Sequence, residues 1–173
     1  RAGMTIFLRE ATNAHNLRTL LPLVTPMNHH RLCLCTDDRQ PSDLLDQGHM
    51  DHLVRMAIAG GVDPVVALRM ATWNTAQYFR LWDRGAVTPG RRADLMIFRD
   101  LHDLRPHLVI RRGQVVARDG VMLPAEGPKM IPRLRGTMSI DWNAIDLSVP
   151  AEGEKIRVIG VVPDQLVTHH LIE

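Results

Sequence analysis

Two short apolar runs organise the first part of the chain: Met4-Thr5-Ile6-Phe7-Leu8 and Leu32-Cys33-Leu34-Cys35. Each stops abruptly, the first at Arg9-Glu10 and the second at Thr36-Asp37-Asp38. Runs this short, with no polar alternation, read as strands buried on both faces, the pattern of a parallel sheet covered by helices. Between them Asn13 is placed to cap a helix that carries Leu17, Leu20 and Leu21 at i, i+3 and i+4, before Pro22 and Pro26 break it. After the polar loop Arg39-Gln40-Pro41-Ser42-Asp43, the residues Leu44, Leu45, Leu53, Met56 and Ala57 predict a helical stretch closing at Gly60-Gly61. Asp63-Pro64 then reopens a helix, Asp as N-cap and Pro in the first turn, with Leu68, Ala71 and Thr75 along one side. Strand, helix, strand, helix is an α/β order.

Beyond about Arg84 the texture changes. Leu95–Phe98, Leu108–Ile110 and Gln114–Ala117 are strand-like runs punctuated by Asp100, Pro106, Gly113 and Gly120, which predicts a small β-rich module. Pro124, Pro128, Pro132 and Pro150 mark an irregular connection over 124–155, and Ile156–Val162 is a last strand. The expected division is therefore 1–83, 84–123 and 124–173, the last being a connection, a final strand and the start of a further region.

Composition narrows the function classes. The 173 residues are 45% hydrophobic, 23% charged and only 4% aromatic, which fits globular packing on aliphatic side chains. A net charge of +2 with scattered arginines gives no basic stripe for nucleic acid. The apolar stretch Thr19–Met27 holds two prolines and is far short of the ~20 residues that span a bilayer, so no membrane partner is expected. Cys33 and Cys35 lack a second pair to complete a zinc framework; they read as buried small hydrophobes in a reducing cytoplasm. Residue 1 is Arg and no leader pattern follows, so the chain is expected to be part of a longer one.

The segment Gly85-Ala86-Val87-Thr88-Pro89-Gly90-Arg91-Arg92-Ala93-Asp94-Leu95-Met96-Ile97 resembles the junction between barrel and β module in the amidohydrolase superfamily. Taken alone it reads as a hairpin with Asp94 fixing the turn. Thr36–Leu45, Gly48-His49-Met50-Asp51, Met70–Ala76 and Val158–Pro163 together resemble the bacterial and archaeal adenine deaminases within that superfamily. The likeness spans essentially the whole chain. It departs at Arg9-Glu10-Ala11-Thr12, where that family usually has Arg-Glu-Gly-Ser.

The resemblance implies the final strand-helix units of a metal-dependent (β/α)8 barrel over 1–83, followed by part of the β-rich module. Barrel chemistry sits at the C-terminal strand ends. It further implies a divalent, binuclear metal centre of manganese, iron or zinc, and adenine as substrate in purine salvage. In that family the aspartate ending the last barrel strand is a metal ligand and moves protons between water and departing ammonia. The role falls to Asp37, with its neighbour Asp38 as the alternative. Replacing an aromatic amine by hydroxyl requires hydroxide at neutral pH, which a metal supplies by lowering the pKa of water. A carboxylate must then take the water proton and deliver it to nitrogen. By itself, an Asp-Asp pair after a strand equally suits a helix cap or an ordered loop.

Arg9 and Glu10 end the preceding strand, and alternation aims one of them at the barrel mouth as a substrate contact; a structural ion pair is the competing reading. His49 and His52 are i, i+3 on one helix side but are expected to lie far from a strand end. The doublets His29-His30 and His169-His170 carry no assignment. Trp73, Phe79 and Trp82 read as packing. No His-x-His pair occurs anywhere in the chain, and a closed barrel takes roughly 250 residues. These residues alone are therefore expected to bind metal weakly, to leave adenine untouched, and to depend on the remainder of a parent chain. Two rival readings stay open: a cyclic amidohydrolase acting on another ring, and a non-catalytic scaffold or homo-oligomerisation piece.

Overall fold

The first apolar run becomes strand β1 (Ile6–Arg9) and the second becomes β2 (Leu32–Cys35) in the computed structural model. The structure describes residues 3–123, 138–150 and 152–173. The two strands pair in parallel, with Ile6 beside Leu32 and Arg9 beside Cys35, so their carboxyl ends emerge on one side. Burial on both faces holds for β2, where Leu32, Cys33 and Leu34 are all buried. It fails for β1: Leu8 is buried, but Ile6 is half exposed. Cys33 and Cys35 are free thiols, and burial pushes the Cys33 thiol up.

The crossover is tighter than the sequence suggests. α1 (Leu17–Leu20) is a single turn with Asn16, not Asn13, at its N-cap position. A 3-10 turn at Leu21–Leu23 follows, since Pro22 brings no N–H to continue the helix. The stretch predicted from Leu44 to Ala57 divides into α2 (Pro41–Asp46) and α3 (Met50–Ala59). The break falls at Gly48, whose φ of 103° suits only glycine and whose added Cβ would lie 2.7 Å from an Asp51 carboxylate oxygen.

Asp63 caps α4 (Pro64–Ala71) as its sequence signal indicates: Oδ1 accepts from the backbone N–H groups of Val65 and Val66 at 2.9 and 3.1 Å. Asp63→Ala is expected to cost about 1 kcal/mol, the usual loss for a removed N-cap, in a urea titration. A bend at Thr72 leads to α5 (Trp73–Tyr78). The buried side of α4 and α5 is Ala67, Met70 and Asn74, one position off the predicted Leu68, Ala71 and Thr75. That second stripe instead lines an apolar groove with Leu95 and Phe98. The hydrophobic core joins Leu8, Leu17, Leu32, Leu34, Leu53, Val54, Ala57 and Met70, with Leu104 plugged into it from the loop between Phe98 and Pro106.

The β-rich part is an antiparallel sheet in chain order: β3 (Leu95–Phe98), β4 (Pro106–Arg111), β5 (Gln114–Arg118) and β6 (Val121–Met122). Asp94 does not close its own hairpin. Its Oδ1 accepts from the N–H of Arg112 at 2.8 Å, in the turn between β4 and β5, and the Gly113 N–H donates to the Ala93 carbonyl at 2.9 Å. All of this belongs to one compact unit, Arg1–Pro124 with Pro163–Leu166.

The second unit, Ala125–Val162 with Val167–Glu173, contains an antiparallel hairpin of β7 (Arg157–Val161) and β8 (Thr168–Ile172). Strand β8, which holds His169 and His170, has no counterpart in the sequence reading. Residues 138–150 are irregular apart from a 3-10 turn at Trp142–Ala144; Pro124, Pro128 and Pro132 lie outside the described residues. Among the described residues no helix is long and apolar enough to cross a membrane.

Candidate active site

Parallel pairing brings Arg9 and Glu10 together with Thr36 and Asp37, because each pair leaves the same end of its strand. The ladder extends one step past β1, with the Glu10 N–H donating to the Cys35 carbonyl at 3.0 Å. Alternation then separates the first pair. Glu10 shares the buried side with Leu8, whereas Arg9 is part-exposed and reaches across to the second strand.

Arg9 holds Asp37. Its Nη1 donates to Asp37 Oδ2 at 3.2 Å, while its Nη2 donates to Asn16 Oδ1 at 2.9 Å. Asp37 sits at a φ of 53°, a left-handed conformation that Asp tolerates better than most residues, which turns the chain sharply after the strand. Its carboxylate is half exposed, and Asp38 is also exposed. The contribution of Asp38 is made by its backbone, whose carbonyl accepts from the Thr12 N–H at 3.0 Å.

Glu10 is only 6% exposed, which is unusual for a carboxylate. Its Oε1 meets His15 Nδ1 at 2.9 Å, and its Oε2 is buried with no hydrogen-bond partner among the described residues. Such an orphan acceptor is costly unless something donates to it. Thr12 ties this loop to the loop after β2: its Oγ1 accepts from the Gln40 N–H at 2.9 Å and hydrogen-bonds the Asp43 carboxylate.

Contrary to the sequence expectation, His49 does reach a strand end. It occupies the N-cap position of α3, and its Nε2 lies 3.4 Å from Thr36 Oγ1, the first residue after β2. Its spacing to Asp37 in sequence gives no hint of this; the Gly48 turn folds it back. One turn further on, burial and then the Arg39 and Arg55 guanidiniums push His52 down, outweighing Asp51 and Glu10. Burial opposes the charge of Asp51, yet the Arg55 guanidinium at 2.6 Å and the His49 N–H at 2.8 Å hold its carboxyl below the usual range.

Sequence reasoning also passed over Asn74. Buried on α5, it donates through Nδ2 to the His29 and Leu32 carbonyls at 2.7 and 2.8 Å, fastening the entrance of β2. Of the aromatic residues read as packing, Trp73 is partly covered, with Arg91 4.8 Å over its ring, whereas Phe79 and Trp82 are both more than half exposed; Phe79 meets Phe7 and the equally exposed Tyr78 in a surface cluster.

The donor chemistry suits one ligand of a metal centre. Asp37 offers a strand-end carboxylate, but among the described residues no group of three His, Cys, Asp or Glu side chains converges. A catalytic metal generally takes three or more protein ligands. Asp37 therefore fits as a contributor and the described residues do not form a complete site.

A family model described as the amidohydrolase family matches residues 10–116. Over 168 residues the chain is 45% identical to a protein named adenine deaminase from Desulfatibacillum aliphaticivorans, covering 96% of this chain and 29% of that protein. It is 42% identical over 172 residues to an adenine deaminase from Thermosipho africanus, covering 98% and 30%. An adenine deaminase from Brucella anthropi is 37% identical over 172 residues, covering 99% and 30%. The chain thus spans about 30% of the length of these curated relatives.

Proposed function

The chain belongs to the amidohydrolase family, and from that premise we propose that it supplies part of the active site of an enzyme converting adenine and water to hypoxanthine and ammonia. β1 and β2 are then the last two strands of a (β/α)8 barrel, and their shared carboxyl end is its reacting face. The observation that carries this reading is the Asp37 carboxylate, held by Arg9 at the common end of two parallel strands. The names of the relatives support the choice of substrate.

A divalent metal, one of a pair of manganese, iron or zinc ions, supplies hydroxide at neutral pH when bound. Asp37 would contribute one ligand to it. Asp37 takes a proton on its carboxylate and returns it to the amino nitrogen, which leaves as ammonia. Arg9 limits the rotation of that carboxylate. Glu10 presents Oε2 to an N–H of the purine, a role its missing partner supports.

A cyclic amidohydrolase acting on another ring would share the Asp94 turn and the strand-end carboxylate. The two are separated by offering the complete, metal-supplemented polypeptide adenine together with a saturated cyclic amide. Ammonia release with the amide intact is the expected result, and ring opening with adenine intact would replace this proposal by the other.

A further inference from the structure

His15 follows β1 by six residues and folds back against it, so that Glu10 and His15 form an isolated antiparallel bridge. Its ring makes two close contacts. Nδ1 lies 2.9 Å from Glu10 Oε1, and Nε2 lies 3.0 Å from the Thr12 carbonyl. A carbonyl only accepts, and an ionised carboxylate only accepts. With Glu10 ionised, both contacts are hydrogen bonds only if both ring nitrogens carry hydrogen.

We propose that His15 is a positioning residue that locks the buried Glu10 carboxylate by donating from both ring nitrogens, leaving Glu10 Oε2 as the acceptor offered to a substrate N–H. The proposal rests on the reading of Glu10 as a substrate contact. The lock reaches both catalytic loops. Thr12, whose carbonyl His15 engages, is hydrogen-bonded through its N–H to Asp38 and through its hydroxyl to Gln40 and Asp43. One imidazole ring thus joins the end of β1 to the loop that carries Asp37.

The other charged groups around the pair are consistent with that state. Asp164 Oδ1 lies 3.8 Å from His15 Nε2, a second carboxylate favouring a cationic ring. Arg9, next in sequence to Glu10, is occupied by Asp37 and Asn16. His52 also faces Glu10, but burial and the Arg39 and Arg55 guanidiniums push it down, which disfavours its cationic form. That leaves His15, among the described residues, as the hydrogen-bond partner of a carboxylate whose side chain is 8% exposed.

The test compares His15→Gln, His15→Lys and Glu10→Gln in the complete polypeptide, with thermal melts to confirm folding. His15→Gln should raise KM for adenine about tenfold while changing kcat less than about threefold, because it loosens a binding contact rather than the reacting group. His15→Lys, which keeps charge and donor, should stay within about threefold of wild type. Equal losses in the Gln and Lys variants, or a fall in kcat alone, would overturn the proposal.

A second readout needs no substrate. Diethylpyrocarbonate attacks an unprotonated ring nitrogen, so carbethoxylation of His15, mapped by peptide mass, should be at least about fivefold faster in Glu10→Gln than in wild type. Equal rates would overturn the lock. A wild-type protein that leaves adenine untouched would remove the adenine reading alone, and the carbethoxylation rates would still decide the role of His15.

Discussion

Asp37→Asn in the complete polypeptide is expected to lower adenine turnover by at least about 100-fold, the lower range for losing a positioned acid-base group. The substitution keeps the shape of the side chain and removes its charge and its ability to take a proton. Folding should be nearly untouched for two reasons. The Arg9–Asp37 ion pair is part-exposed, a class worth about 1 kcal/mol or less. Asparagine also accepts the left-handed backbone found there, at a φ of 53°. Asp38→Asn is the internal comparison. Asp38 takes part through its carbonyl, accepting from Thr12, so its carboxylate should be dispensable to within a few-fold. Steady-state assays of both variants with added metal distinguish the two aspartates, and near-normal turnover by Asp37→Asn would reject it as the proton carrier.

Asn74→Ala is expected to show the largest loss of stability, about 1–3 kcal/mol in a urea titration, because it removes a buried amide donor from the Leu32 carbonyl and a second hydrogen bond from the part-buried His29 carbonyl, which keeps the Leu32 N–H. The carbonyls are those of His29 and Leu32, just before and at the start of β2. Asn74 is 5% exposed, so water has little access to replace the lost donor. Activity per folded molecule should persist, since Asn74 acts through the placement of the strand and touches no strand-end group. An unchanged urea midpoint would mean that these bonds contribute nothing to the anchoring of β2.

What could be read from the sequence was local. Leu32–Cys35 is apolar without interruption and bounded by Arg31 and Thr36, so the strand and its end were legible together, and with them the position of Asp37. Asp63-Pro64 carries its cap and its first turn in adjacent residues. The helix faces were harder. Ala67, Met70 and Asn74 repeat with almost the same period as Leu68, Ala71 and Thr75, and a polar Asn argues against the stripe that the core uses. Its amide is acceptable there only because two carbonyls, 42 and 45 residues away, converge on it.

The site was half legible for the same reason. Arg9, Glu10, Asp37 and Asp38 are marked by following apolar runs directly. His15 and His49 are not, because a bridge back to Glu10 and a left-handed turn at Gly48 bring them to the strand ends. Asp94 shows the reverse failure. Its turn motif is recognisable, yet the N–H it binds belongs to Arg112, in the next hairpin. Contacts of this kind are set by the register of the whole sheet, which no window of neighbouring residues contains.

The most direct measurement of the central claim is the reaction of adenine with the complete, metal-supplemented polypeptide in water enriched in oxygen-18. Hydrolytic deamination predicts hypoxanthine and ammonia in equal amounts, with one labelled oxygen in each hypoxanthine. Adenine recovered unchanged, or hypoxanthine formed without the label, would contradict it.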